Sequence, residues 1–163
     1  MAKRPQTGPA RNATQPSDAL LRRFTGYRMK RAYLVVEAEV MAALDPHDLR
    51  LTAFSALGII IENPGLTQTA LASALSIERS SVVVIVDTLE DRELITRNSV
   101  EGDRRTYALV ATLRGRRLFE QIAKEIEARE ARLQNGLTDE QRASLCDYME
   151  TVERRGGAAD TIK

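Results

Sequence analysis

Apolar residues recur at helical spacing along most of the chain and alternate in one short region. Leu20, Phe24, Tyr27 (or Arg28), Arg31, Leu34, Ala38 and Met41 fall on one stripe and predict a long helix from Asp18 to Leu44. Ser17 or Asp18 can cap it, and Asp45-Pro46 stops it. Leu51, Phe54, Leu57, Gly58 and Ile61 predict a second helix over Arg50–Asn63, ended by Pro64-Gly65, after which Leu66 begins a short extended piece. Thr67 caps a small helix through Leu75, with Ala70, Leu71, Ala74 and Leu75 facing inwards. Ser76-Ile77-Glu78 forms a turn, Ile77 plugging the gap before a helix from Arg79 to about Arg92.

That helix is the difficult assignment. Val82 to Val86 is β-branched throughout and, alone, reads as a buried strand. Helix is preferred because Val82, Ile85 or Val86, and Leu89 form an i, i+3/4, i+7 stripe, and a strand would leave the preceding short helix without a partner. Val83 and Val84 then cannot both be core, and an outward valine can contact thymine methyl groups.

Ile95–Val100 and Thr106–Ala111 alternate as paired strands do, about a Glu101-Gly102-Asp103 turn. Thr112 caps a long helix carrying Leu118, Ile122, Ile126 and Leu133, and Asn135-Gly136 breaks it. Thr138-Asp139-Glu140-Gln141 opens a last helix with Leu145, Tyr148, Met149 and Val152 on its apolar side, ended by Gly156-Gly157.

The predicted fold is mainly α with a small β-hairpin wing, a winged helix-turn-helix framed by N- and C-terminal dimerisation helices. The boundaries are a disordered tail at 1–17, the domain at 18–155 and a flexible tail at 156–163. Within the domain, 50–112 is the DNA-binding unit, and 18–45 and 113–155 are the dimerisation helices. Those ends carry more apolar surface than a small winged domain can cover, and a second copy is the simplest cover.

Composition narrows the function more by exclusion. The 163 residues are 43% hydrophobic and 29% charged, with one cysteine and one histidine. Cys146 alone can form no intrachain disulfide, and His47 has no second histidine or nearby cysteine, so neither a metal site nor a catalytic group is evident. No cofactor is called for. No apolar run reaches the roughly 18 residues that span a bilayer, and the N-terminal segment has no secretory signal. A cytoplasmic protein without membrane contact is expected.

Net charge is only +1, and between Arg50 and Gly115 seven Lys/Arg face eight Asp/Glu. DNA binding therefore depends on where the charges sit. Thr67, Gln68 and Thr69 offer donors and a helix N-terminus to phosphate. Arg79, Ser80 and Ser81, in the first turn of the second helix, aim at the major groove, with Val83 or Val84 beside them. In the wing, Asp103 can orient the Arg105 guanidinium for a narrow minor groove, with Arg104 and Arg97 as phosphate contacts.

Asp103-Arg104-Arg105-Thr106 followed by Leu109, Thr112, Gly115 and Leu118 resembles the wing and exit of the MarR family of bacterial winged helix-turn-helix regulators. Ser80, Ser81, Val82, Val86, Leu89, Leu94 and Ile95 also sit where its recognition-helix pattern expects them, and the likeness runs from about Leu20 to Val152. The resemblance implies a homodimeric repressor on a pseudo-palindromic operator, released by a small effector bound between dimer helices and winged domain. It also implies Arg105 as the minor-groove arginine and a bacterial, nucleoid-associated protein. Two departures stand out: Val84 replaces a frequent polar or basic contact, and Glu93 replaces the glycine that usually ends the recognition helix.

Tyr27, Arg28, Arg31, Tyr33, Met41 and Phe54 come from helices flanking the family's usual pocket. An aromatic lining with a basic rim suits an aromatic carboxylate or its coenzyme A thioester. The alternatives are a winged-helix protein-interaction module without specific DNA binding, and a redox-sensing regulator using Cys146. Those sensors commonly place their cysteine near the N-terminal dimer helix, so Cys146 is read as a structural, inert thiol.

Overall fold

The computed structural model describes the backbone of residues 16–100 and 103–159, and the side chains of 16–99 and 107–156. The expected tail over 1–15, the turn residues Glu101 and Gly102, and residues 160–163 lie outside the described residues. The chain divides into two units between Val35 and Val36.

In the first unit the expected helix does not start at Asp18. Residues Leu21–Arg23 form a 3-10 turn, Phe24 is extended (ψ 126°), and α1 begins afresh at Thr25, running to Leu44 across the boundary. Local hydrogen bonding accounts for the break. The Asp18 carboxylate accepts from Arg22 Nε (2.7 Å) and Tyr27 Oη (2.9 Å) instead of capping a long helix. The Arg22 hydrogen bond first, and Tyr27 second, hold the Asp18 carboxyl below its ordinary range, and the same contact holds the Tyr27 phenol above its own.

The second unit holds the winged architecture. After α1 ends at Leu44, a 3-10 turn at Asp45–His47 leads into α2 (Leu51–Glu62), then α3 (Gln68–Leu75) and α4 (Arg79–Asp91). An antiparallel hairpin follows, β1 (Ile95–Val100) with β2 (Asp103–Ala111). Two long helices, α5 (Leu113–Leu133) and α6 (Asp139–Ala159), complete the chain.

The core lies where α2, α4, the hairpin base and α5 meet. Leu44, Leu57, Ile60, Leu71, Val82, Val86, Leu89, Leu94, Ile95, Leu109 and Ile122 are each under 2% exposed. The valine run is helical for this reason. Val82, Val86 and Leu89, spaced i, i+4, i+7, are fully buried, each burial contributing about 1.5–3 kcal/mol. That outweighs the roughly 0.5 kcal/mol by which a valine disfavours helix.

Several local expectations are corrected. On α3 the inward face is Leu71, Ala72 and Leu75, while Ala70 and Ala74 are exposed, because eight residues make only two turns and the leucines set the face. β2 begins at Asp103, paired with Val100, so only Glu101 and Gly102 separate the strands, and the register shifts between Ser99 and Val100. Gly156 and Gly157 do not end α6, which continues to Ala159; nothing in the fold demands a left-handed residue there. Cys146 is exposed on α6, so within one chain it has no packing role.

The caps read as expected. Thr67 Oγ1 accepts from Ala70 N–H (3.2 Å) and Thr112 Oγ1 from Gly115 N–H (3.0 Å). Thr138 and Gln141 exchange backbone and side-chain bonds at 2.8 and 3.2 Å, a reciprocal capping box. No single helix among the described residues is long and apolar enough to cross a membrane.

Candidate nucleic-acid interface

The α3 and α4 axes diverge by 110° across the Ser76–Glu78 turn, within the range of a helix-turn-helix. Ser76 makes the turn in the left-handed region (φ 53°), its N–H bonded back to Ser73 and the Ile77 N–H to Ala72. Ile77 packs against the core as the plug, and Ala72, only 5% exposed, lets the two helices approach closely.

Between the helices opens a cleft of about 1240 Å³ lined by Thr69, Ala72, Ser73, Ser76, Ile77, Glu78, Arg79, Ser80 and Ser81. Arg79, Ser80 and Ser81 are all exposed in the first turn of α4, and the Glu78 side chain does not cap that helix. The N-terminal amides of α4 are thus uncapped by a side chain, an arrangement that favours an anion. Thr69 is exposed beside them, Gln68 is half-buried, and the Thr67 hydroxyl oxygen is engaged as the α3 cap. Val83 and Val84 both face outwards, 43% and 65% exposed, one turn further along α4.

The far end of α4 is tied down at several points. Arg92 donates to the carbonyls of Asp48 (2.7 Å) and His47 (2.8 Å), joining the helix end to the 3-10 turn before α2. Glu93 sits in the left-handed region (φ 58°), and Leu94 N–H reaches back to Leu89 O at 2.9 Å. This is the capping geometry in which glycine is usual, kept here by glutamate at roughly 1 kcal/mol. Arg114 pairs with the Glu93 carboxylate at 2.8 Å. Thr112 Oγ1 donates to the carbonyl of Glu93 at 2.7 Å.

Gly115 is required at this junction: a Cβ there would lie 2.1 Å from the Leu94 carbonyl oxygen. The hairpin base is fixed on its other side by the pair Gly65 N–H to Leu109 O (2.8 Å) and Leu109 N–H to Leu66 O (2.9 Å).

Arg97 occupies a place the sequence did not suggest. Its guanidinium donates to both Asp87 and Glu90 on α4, and its backbone N–H also donates to Glu90 at 3.3 Å. Desolvation draws its pKa down, but hydrogen bonds and charge from Asp87 and Glu90 outweigh that and hold it above its ordinary value. In the free chain it is committed to α4 and does not stand ready for phosphate. The side chains of Asp103, Arg104 and Arg105 lie outside the described residues.

The residues expected to line an effector pocket fall in both units. In the first, Tyr27 donates to Asp18, Arg28 Nε donates to the Arg22 carbonyl, and Arg31 and Tyr33 are exposed on α1. In the second, Met41 is 39% exposed, and Phe54 stacks on Phe119 of α5 with centroids 4.7 Å apart and planes 11° from parallel. A groove of about 520 Å³ runs beside that pair, lined by Phe54, Ser55, Gly58, Ile59, Ile61, Glu62 and Phe119. Phe119 was not singled out in the sequence. Gly58 carried the signal, since a glycine inside an apolar helix marks close packing, and a Cβ there would meet Phe119 Cε2 at 2.8 Å.

Fold and cleft together define a winged helix-turn-helix unit. The MarR family profile matches residues 47–106. An HTH-type transcriptional repressor, Mb2911 of Mycobacterium bovis, is 31% identical over 78% of this chain and 91% of its own length. A protein assigned to regulation of the hcr operon of Thauera aromatica is 33% identical over 63% of this chain, and the match spans only 61% of that relative. Among solved structures, the transcriptional repressor CouR bound to a 23-mer DNA duplex superposes with a TM-score of 0.78 at 32% identity, covering 86% of this chain and 99% of that one. CouR from Rhodococcus jostii bound to p-coumaroyl-CoA gives 0.69 at 30% identity, covering 78% and 90%. The chain belongs to the MarR family.

Proposed function

We propose that the chain is a DNA-binding transcriptional regulator, a homodimeric repressor that sits on a pseudo-palindromic operator and is released by a small effector. The observation that carries this reading is the α3–α4 unit: a 110° turn presenting Arg79, Ser80 and Ser81 exposed at an α4 N-terminus that no side chain caps. Ser80 and Ser81 hydrogen-bond base edges, Val83 and Val84 lie against thymine methyls, and Arg79 holds phosphate. Thr67, Gln68 and Thr69 meet the adjacent backbone, Arg104 a phosphate of the wing side, and Arg105, oriented by Asp103, the minor groove. Membership of the family and the DNA-bound relative support the assignment.

The dimer rests on unpartnered apolar faces. On α6, Leu145, Tyr148, Met149 and Val152 are between 44% and 72% exposed at i, i+3, i+4, i+7 spacing, and a second copy covers them. Two reading helices would then lie about one DNA turn apart. As a DNA-binding regulator the chain works in the bacterial cytoplasm at the nucleoid, and it carries out no catalysis.

The effector is a planar aromatic acid or its coenzyme A thioester. Its ring would use the apolar groove beside Phe54 and Phe119. The p-coumaroyl-CoA-bound relative supports the class.

The experiment is a gel-shift titration on a duplex enriched by the full chain from a random pool, repeated with p-coumarate, salicylate and p-coumaroyl-CoA. Specific binding with a two-fold-related footprint, weakened by one of these ligands, is expected. Binding untouched by all of them, with no thermal shift, removes the effector assignment. Absence of any enriched sequence removes the DNA assignment.

A further inference from the structure

The hairpin and the reading helix are joined by only three residues, Arg92 to Leu94, between the end of α4 and the start of β1. β1 is six residues long, a lever of about 20 Å at about 3.3 Å per residue. A swing of about 10° at that joint displaces the hairpin tip by about 3 Å, more than a hydrogen bond tolerates. Recognition by a helix in one groove and a wing in the next needs this angle held before DNA arrives.

Arg97 is the side chain placed to hold it. From the middle of β1 its guanidinium reaches Asp87 and Glu90, on successive turns of α4, and its own N–H adds a third bond, the second to Glu90. The Arg97 side chain is only 19% exposed, and its Nε is buried with no partner among the described residues. A guanidinium this far out of water keeps its place through its two carboxylates, since either one lost leaves buried charge less compensated. To meet phosphate it would have to give up both.

We propose that Arg97 is a positioning residue for DNA recognition: through Asp87 and Glu90 it sets the hairpin against α4, and it does not contact DNA. The proposal rests on the DNA-binding reading. It assigns the acids of α4 a purpose as well. Two carboxylates on a helix that approaches phosphates would repel them, and here one cation offsets half of their charge and uses both as an anchor.

Electrostatics and positioning predict opposite signs for Asp87→Asn, which makes the test sharp. Affinity for a duplex enriched by the full chain from a random pool is measured as salt is varied. The set is the parent, Asp87→Asn, Arg97→Ala and the double variant, with melting curves for each. Positioning predicts that Asp87→Asn weakens binding about tenfold although it removes a negative charge. The log–log salt slope stays at the parent value, and the double variant loses little more than Arg97→Ala alone.

Asp87→Asn that tightens binding or leaves it unchanged overturns the proposal. So does an Arg97→Ala slope shallower by about 0.9 per copy, the mark of a lost phosphate contact. Additive losses in the double variant overturn it too. If Arg97→Ala fails to fold, Asp87→Asn, at a side chain 52% exposed, decides alone. A parent that binds no duplex overturns the DNA-binding reading itself, an outcome distinct from these.

Discussion

Replacing Gly115 by alanine should damage the protein far more than a single methyl group suggests. The new Cβ would stand 2.1 Å from the Leu94 carbonyl oxygen and 2.9 Å from its carbon, where ordinary contact begins near 3.4 Å. Backbone cannot rotate away as a side chain does, so the start of α5 and the start of the hairpin must part by about an ångström. The same carbonyl accepts from Thr112 N–H (3.0 Å) and lies 3.2 Å from Thr112 Oγ1, and a shift of that size breaks both contacts.

Overpacking costs about 1–3 kcal/mol and the lost Thr112 N–H to Leu94 hydrogen bond about 1 kcal/mol. The better helix propensity of alanine returns about 1 kcal/mol. The net is a loss of about 2 kcal/mol, a drop of about 1 M in urea midpoint at a slope near 2 kcal/mol/M. Urea unfolding followed by helical circular dichroism at fixed protein concentration reads it, with Gly26→Ala as the control. Nothing lies within 4 Å of a Cβ at Gly26, so that variant should match the parent or gain up to about 1 kcal/mol. A Gly115→Ala midpoint within about 0.3 M of the parent would refute the reasoning.

Thr112→Ala removes the α5 cap and the bond to the Glu93 carbonyl together and should cost about 1–2 kcal/mol in the same assay. Val152→Glu, placing a charge on the exposed α6 face, should convert dimer to monomer by light scattering and abolish tight operator binding; an intact dimer would disprove the assigned interface. Ser80→Ala with Ser81→Ala should relax base preference in a repeated selection while leaving the salt slope unchanged, since neither side chain carries charge. An unaltered preference would move the reading surface elsewhere on α4.

Much of this architecture was legible because local chemistry and burial agreed. Thr67, Thr112 and the Thr138–Gln141 pair are caps whose bonds close within three residues, and such short-range signals survive into the fold. The valine run required a tertiary argument, that the preceding short helix needed a partner, and burial of Val82, Val86 and Leu89 bears it out. α1 starts at Thr25 and not, as its stripe predicts, at Asp18, because Asp18 has two competing uses. Its carboxylate satisfies Arg22 and Tyr27, and Phe24 turns extended.

Gly156-Gly157 misled for a different reason. Glycine permits a left-handed stop but does not impose one. The clamp at Arg97 was out of reach from spacing, since its partners lie seven and ten residues away across a change from helix to strand. Periodicity within one element cannot reveal a bond that exists only once the hairpin has folded back. The same holds for Phe54 and Phe119, brought together from two helices where only Gly58 hinted at the approach.

The salt dependence of binding to the selected duplex, measured for the parent and for Arg105→Ala, asks most directly whether this chain reads DNA with helix and wing together. About six phosphate contacts across two copies give a log–log slope near −5 for the parent. Arg105→Ala should weaken binding at least about tenfold. A parent slope near zero, or an Arg105→Ala variant indistinguishable from the parent, would contradict that reading and point instead to a winged domain that docks on protein.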